Sequence, residues 1–179
     1  MLDTLISSKT RVKLLLKFFL NSDTKAYIRG LESEFKESAN AIRTELNNLE
    51  KAGMLKCETE GNRKYFRANT AHPLYEQLHQ IVMKQVGINQ LVENVTQRLG
   101  NLERVYLVGS FARGIDSPIL DVVFIGNIDR IYLLQLIEKA EDLIGRRIRY
   151  IVYGQLSTFQ AHASTFSPKP VLLWDQMDV

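Results

Sequence analysis

Cysteine is almost missing from this 179-residue chain. The single thiol, Cys57, cannot build a disulfide framework, and one cysteine in this length suits a cytoplasmic protein. Histidine is nearly as scarce. His72, His79 and His162 are scattered without a ligand spacing, which argues against a zinc site. No stretch approaches the roughly 18 uninterrupted apolar residues that a membrane span needs. The N-terminus lacks the basic-then-apolar order of a signal peptide. No internal repeat and no low-complexity segment is present. Charge of one sign is lacking too: 23 Lys and Arg face 20 Asp and Glu, for a formal net charge of +3.

What charge there is divides unevenly. Residues 1–100 hold 15 basic against 11 acidic side chains, and residues 101–179 hold 8 against 9. The basic excess falls in the half where apolar residues recur at helical spacing, as phosphate binding requires. At this length the chain forms one large or two small domains, each able to bury a core.

In the first half, Val12, Leu15, Leu16 and Phe19 stand at i, i+3, i+4, i+7 spacing and predict a helix over roughly 8–20. Ile28, Leu31 and Phe35 predict a second, short one. Ser38 is a natural N-cap for a third, with Gly53 suited to its C′ position. Ile42, Leu46 and Leu49 share one face of that third helix. At 100° per residue the opposite face carries Asn40, Thr44, Asn47 and Lys51, with Arg43 on its flank. Two short strand-like runs, 54–60 and 63–68, flank Gly61-Asn62 and predict a β-hairpin whose edge carries Arg63, Lys64 and Arg67.

Three helices followed by a basic-edged hairpin make a winged helix-turn-helix. The run from Ala41 to Leu55, with its Leu46-x-x-Leu49 pair and Gly53 leading into the hairpin, resembles the recognition helix and wing of the ArsR-type transcription regulators. The resemblance covers about a third of the chain. Metal-sensing members carry a Cys-x-Cys near that helix, and Cys57 alone does not supply it. As a DNA reader, the third helix is expected to enter the major groove. Asn40, Arg43, Thr44 and Asn47 would then meet base edges, Arg pairing with guanine and Asn with adenine. Lys51, Arg63, Lys64 and Arg67 are expected on phosphates, where they position the protein without reading sequence.

The second half opens on Arg104-Val105-Tyr106-Leu107-Val108, then Gly109-Ser110-Phe111-Ala112-Arg113-Gly114, then a strand containing Asp121. This succession resembles the active-site signature of the minimal nucleotidyltransferase fold, where Gly-Ser ends a strand and the next strand carries Asp-x-Asp. The chemistry of that family needs two metals about 3.5–4 Å apart, held by carboxylates. Residues i and i+2 of a strand share a face, so Asp-x-Asp aims both acids at one site. Here Asp121 is followed by Val122 and Val123, and the third acid of the family aligns with Arg149. The resemblance therefore implies a degenerate transferase with no catalytic and no metal-ligand residues, no cofactor, and at most weak Mg²⁺ binding. Gly109, Ser110, Arg113 and Asp121 remain candidates for holding a nucleotide phosphate. Arg146, Arg147 and Arg149 can either bind phosphate or complement a helix C-terminus and line a strand edge. Asp116 is expected as a turn residue.

The expected fold class is α/β in two domains: a winged helix-turn-helix over 1–70 and a nucleotidyltransferase-like α/β domain over 101–179. A helical connector over 71–100 joins them, bent or broken near Gly87 and apolar at Leu74, Leu78, Ile81, Val82, Ile88, Leu91, Val92 and Val95. In the second domain, strands are expected at 104–108, 120–125, 147–153 and 171–174, with helices after Ser110 and at 129–144 and 156–163. The whole chain resembles bacterial fusions of these two modules. The expected function is sequence-specific binding of double-stranded DNA as a homodimeric transcription regulator. Its second domain would sense a nucleotide or other ligand, or bind a protein partner, with no membrane involved. Two alternatives belong to other classes. One is an active nucleotidyltransferase modifying a protein, RNA or small molecule; the other is an antitoxin-like module that pairs with a toxin protein.

Overall fold

The computed structural model describes residues 5–88, 91–92, 99 and 101–178. It divides into two compact units, Met1–Gln85 and Val86–Val179. The first unit opens with α1 (Lys9–Phe19), capped by the Ser8 hydroxyl, which accepts the Arg11 N–H. Val12, Leu15, Leu16 and Phe19 are buried as their spacing predicts, and so are Leu14 and Phe18. A two-residue strand, β1 (Ala26–Tyr27), leads into α2 (Ile28–Phe35). Lys36 ends that helix in the left-handed conformation, and Ser38 caps α3 (Ala39–Lys51) by accepting the Ala41 N–H. Gly53 stands at C′ with φ +74°, which lets the Met54 N–H reach back to the Leu49 carbonyl.

The chain then runs through β2 (Leu55–Glu60) and β3 (Arg63–Ala68) around the Gly61-Asn62 turn. All three strands form one antiparallel sheet in the order β1-β3-β2, with Tyr27 opposite Tyr65 and Cys57 opposite Phe66. Helix, strand, two helices and hairpin follow in the order expected of a winged helix-turn-helix. The strand β1 had no sequence signal, because two residues are too few to show an alternation. Ion pairs tie α1 to its neighbours: Arg11 Nε to Glu45 Oε2 of α3 at 2.8 Å, Lys17 Nζ to Glu34 Oε2 of α2 at 2.7 Å, and Lys13 Nζ to Glu37 Oε1, in the link between those helices, at 2.5 Å. Helix α4 (Tyr75–Val86) packs Tyr75 against Phe19, and His79 Nδ1 meets the Phe19 carbonyl at 2.6 Å. These contacts tie the start of α4 to α1; the sequence reading gave residues 71–100 as a helical connector. Gly87 follows with φ +88°. Of the helical continuation expected to 95, only Ile88, Leu91 and Val92 are among the described residues.

The second unit is a four-stranded sheet in the order β6-β5-β4-β7. Its elements follow as β4 (Leu102–Val108), α5 (Gly109–Ala112), β5 (Ile119–Gly126), α6 (Arg130–Ile144), β6 (Arg147–Tyr153), α7 (Leu156–His162), a 3₁₀ turn at Ala163–Thr165, β7 (Val171–Asp175) and a 3₁₀ turn at Gln176–Asp178. β5 and β6 are parallel, as the crossover through α6 requires; β4 pairs antiparallel with β5 and β7. Asp129 caps α6 by accepting the N–H groups of Ile131 and Tyr132. Along β5, Leu120, Val122 and Phe124 point to one face, and Asp121, Val123 and Ile125 to the other. The second face carries an apolar cluster of Val108, Val123, Ile125 and Phe159, against which Tyr106, Tyr153, Leu156, Ala163 and Phe166 pack.

Candidate functional site

Two surfaces hold the residues singled out by the sequence. The first is built on α3. Ile42, Leu46 and Leu49 are buried, which fixes the rotation of the helix and leaves Asn40, Arg43, Thr44, Asn47 and Lys51 exposed. Only Thr44 is partly engaged, its hydroxyl donating to the Asn40 carbonyl at 2.9 Å. The outward face is therefore a row of short and long hydrogen-bonding groups on a helix locked by its other side.

The hairpin beside it is more neutral than its sequence suggests. Glu50, at the last turn of α3, accepts from the Lys64 ammonium at 2.7 Å and from the Cys57 thiol at 2.8 Å. The Cys57 hydrogen bond and then Lys64 hold the Glu50 carboxyl below its ordinary value. In return, Glu50 pushes the Cys57 thiol up and keeps the Lys64 ammonium charged to higher pH. Arg67 stands 3.7 Å from Glu58, and Lys25 sits between Glu58 and Glu60. Of the phosphate contacts expected on the hairpin, Lys64 and Arg67 thus have acidic partners within the chain. Arg63 instead lies over the Tyr27 ring, 4.9 Å from its centroid. Sequence reasoning missed Glu50 as a partner, because a glutamate 14 residues from its lysine gives no local signal.

The second surface surrounds Asp121. Gly109 turns with φ +67°, and a side chain there would run into the Asp121 carboxylate. Asp121 is 8% exposed, and the parallel register of β5 and β6 sets it opposite Arg149. The Arg149 guanidinium donates to Asp121 Oδ1, and this pairing holds the arginine's proton more tightly. Val123 is fully buried beneath Phe159. One carboxylate, one hydrocarbon under an aromatic ring and one cation occupy the positions where the family resemblance implies three acids. Among the described residues no group of three His, Cys, Asp or Glu side chains can hold a metal ion.

Ser110 is half-buried, and Arg113 is exposed with its guanidinium 3.4 Å from the Ser167 carbonyl. Of the other arginines singled out by the sequence, Arg146 meets Asp116 at 2.9 Å and Arg147 meets Glu141 at 2.7 Å. Asp116 is thus more than a turn residue. Nδ1 of each of the three histidines is bonded to a backbone group.

No described protein family and no curated protein matches the chain. Among the solved structures that resemble part of it are two of known source. One is a chain from the Shewanella oneidensis complex of a tri-AMPylated HEPN toxin with MNT antitoxin, 16% identical, TM-score 0.39, covering 54% of this chain and 76% of its own. The other is a proposed nucleotidyltransferase of Sulfolobus solfataricus, 27% identical, TM-score 0.36, covering 55% of this chain and 85% of its own. The fold class rests on the geometry described above: a mixed α and β chain with two sheets. No helix of the described residues is long and apolar enough to cross a membrane.

Proposed function

We propose that the protein is a sequence-specific DNA-binding transcription regulator of ArsR-like type, with a nucleotidyltransferase-like unit that does not transfer nucleotides. The observation that carries this reading is the exposed polar face of α3 opposite a fully buried apolar face. Entering the major groove, that face offers Asn40, Arg43, Thr44 and Asn47 to base edges. Lys51 and Arg63 meet phosphates directly; Lys64 and Arg67 do so by exchanging Glu50 and Glu58 for DNA, which makes their contribution smaller than that of unpaired cations. The partner is double-stranded DNA, bound by a two-fold homodimer joined through the segment at 71–100.

For the second unit, the Arg149–Asp121 pair and the cover of Phe159 over Val123 support the silent reading over an active transferase. Its role is then recognition of a ligand or a protein partner. Selection of bound duplexes from a random DNA pool at fixed salt tests the central claim. Enrichment of one motif is expected. Recovery of an unbiased pool, or Mg²⁺-dependent transfer of labelled nucleotide by the unaltered protein, would overturn it.

A further inference from the structure

A cleft of about 440 Å³ opens between the start of α2 and the tip of the hairpin, lined by Tyr27, Ile28, Arg29, Asn62, Arg63 and Lys64. It contains no acidic residue. Three cations beside the cleft have acidic partners: Lys25 with Glu58 and Glu60, Lys64 with Glu50, Arg67 with Glu58. Arg63 is held by an aromatic ring rather than a carboxylate, and Arg29 is exposed with no ion pair among the described residues. Two guanidinium groups without acidic partners among the described residues therefore line one cleft.

We infer that this cleft is a binding site for a backbone phosphate of DNA, with Arg29 and Arg63 as its clamp. A guanidinium presents a planar fork that matches two phosphate oxygens. The Tyr27 ring does not accept a nucleobase: Arg63 lies over it, Tyr65 meets it edge-on at 5.3 Å, and Gly30 approaches so closely that an added Cβ would stand 3.2 Å from the ring. That leaves the anionic part of a nucleic acid as the ligand. Lys64 lines the cleft and also pairs with Glu50 on α3, so the site borders the helix assigned to the major groove. The assignment rests on the DNA-binding reading and extends it to Arg29, Asn62 and Tyr27.

The test uses the full chain with the selected duplex and a scrambled duplex, titrated between 50 and 200 mM salt. Arg29→Ala, on an exposed helical position, is expected to weaken both duplexes by the same factor. Its salt slope should fall by about one, so that this salt step costs the variant roughly three-fold less than the parent. Arg29→Ala with Arg63→Ala should lower the slope by about two. Replacing backbone phosphates one at a time by neutral methylphosphonate should reveal a position that weakens the parent and leaves the Arg29→Ala variant unaffected. Inorganic phosphate and ATP at matched ionic strength should not compete. Competition by either would overturn the assignment in favour of a small-anion site. A parent that binds DNA together with variants of unchanged affinity and slope would overturn the cleft and spare the DNA reading. A parent that binds neither duplex would overturn both.

Discussion

At the scale of single residues, the proposed DNA readout and the charge compensation are separable. Asn47→Ala or Arg43→Ala removes one hydrogen-bonding group from a solvent-facing position, so the fold should persist. Binding to the selected site should weaken by about 1–3 kcal/mol, with relaxed preference at one base pair. Anisotropy titrations against single-base variants of the site check both parts, and undiminished binding would remove α3 from the groove. Glu50 behaves differently, because it occupies both Lys64 and Cys57. Glu50→Gln should release Lys64, raising affinity for every duplex and steepening the salt slope by up to about one. The same change should bring the Cys57 thiol's titration down, because the hydrogen bond to Glu50 is the largest cause of its elevation. Alkylation rates against pH measure this independently of DNA, and an unmoved profile would contradict the Glu50–Cys57 contact.

At the scale of elements, α1 is fastened to its neighbours by carboxylates that must stay ionised. Burial pushes Glu37 up, but hydrogen bonds from Lys13 and Thr10 outweigh it and hold the carboxyl below its ordinary value of 4.5. Glu45 is lowered in the same way: burial opposes, and Ser8, Arg11 and Asn48 win. A depressed carboxylate stabilises the fold above its ordinary value, and that contribution is lost as pH falls through the depressed value. Melting temperature should therefore drop as pH is lowered from about 5 to about 3. Glu37→Gln should melt lower at neutral pH and show a shallower acid decline. Equal acid sensitivity in variant and parent would remove Glu37 from the account. In the second unit, β5 sets the chemistry. Val123→Asp would place a carboxylate beneath Phe159, costing about 3 kcal/mol or more unless it is protonated. Calorimetry should find no Mg²⁺ site in that variant, since Arg149 still holds Asp121. Restored metal-dependent transfer would defeat the silent reading.

At the scale of the whole molecule, the predicted assembly is a two-fold dimer. The apolar positions from Leu74 to Val82 include Leu74 and Ile81, which are 51% and 39% exposed. A symmetric pair of α3 helices would stand about 34–36 Å apart, so the enriched motif should be a near-palindrome with half-sites one helical turn apart. Light scattering at micromolar concentration should report twice the 20.6 kDa chain mass. A monomer bound to a non-repeating motif would count against this assembly.

Local order was legible in the sequence. The 3.6-residue recurrence of Val12, Leu15, Leu16 and Phe19, and of Ile42, Leu46 and Leu49, determined two helices and the faces they bury. Gly53, Gly61-Asn62 and Asp129 marked turns and a cap, and the Gly109-Ser110 turn before Asp121 pointed to the second unit's fold class. The paucity of acids around Asp121 was legible as well, since Val123 and Arg149 stand in the sequence itself. Only tertiary structure decided who meets whom. Strand register set Arg149 directly against Asp121, where sequence gave the two positions 28 residues apart. The same long-range pairing brought Glu50 to Lys64 and Cys57, Tyr27 beneath Arg63, and Arg29 to the edge of the hairpin cleft. The physical reason is that periodicity reports which side of an element is apolar, a property of neighbours along the chain. Charge compensation depends on side-chain distances of about 3 Å between elements, and those exist only once the backbone has folded.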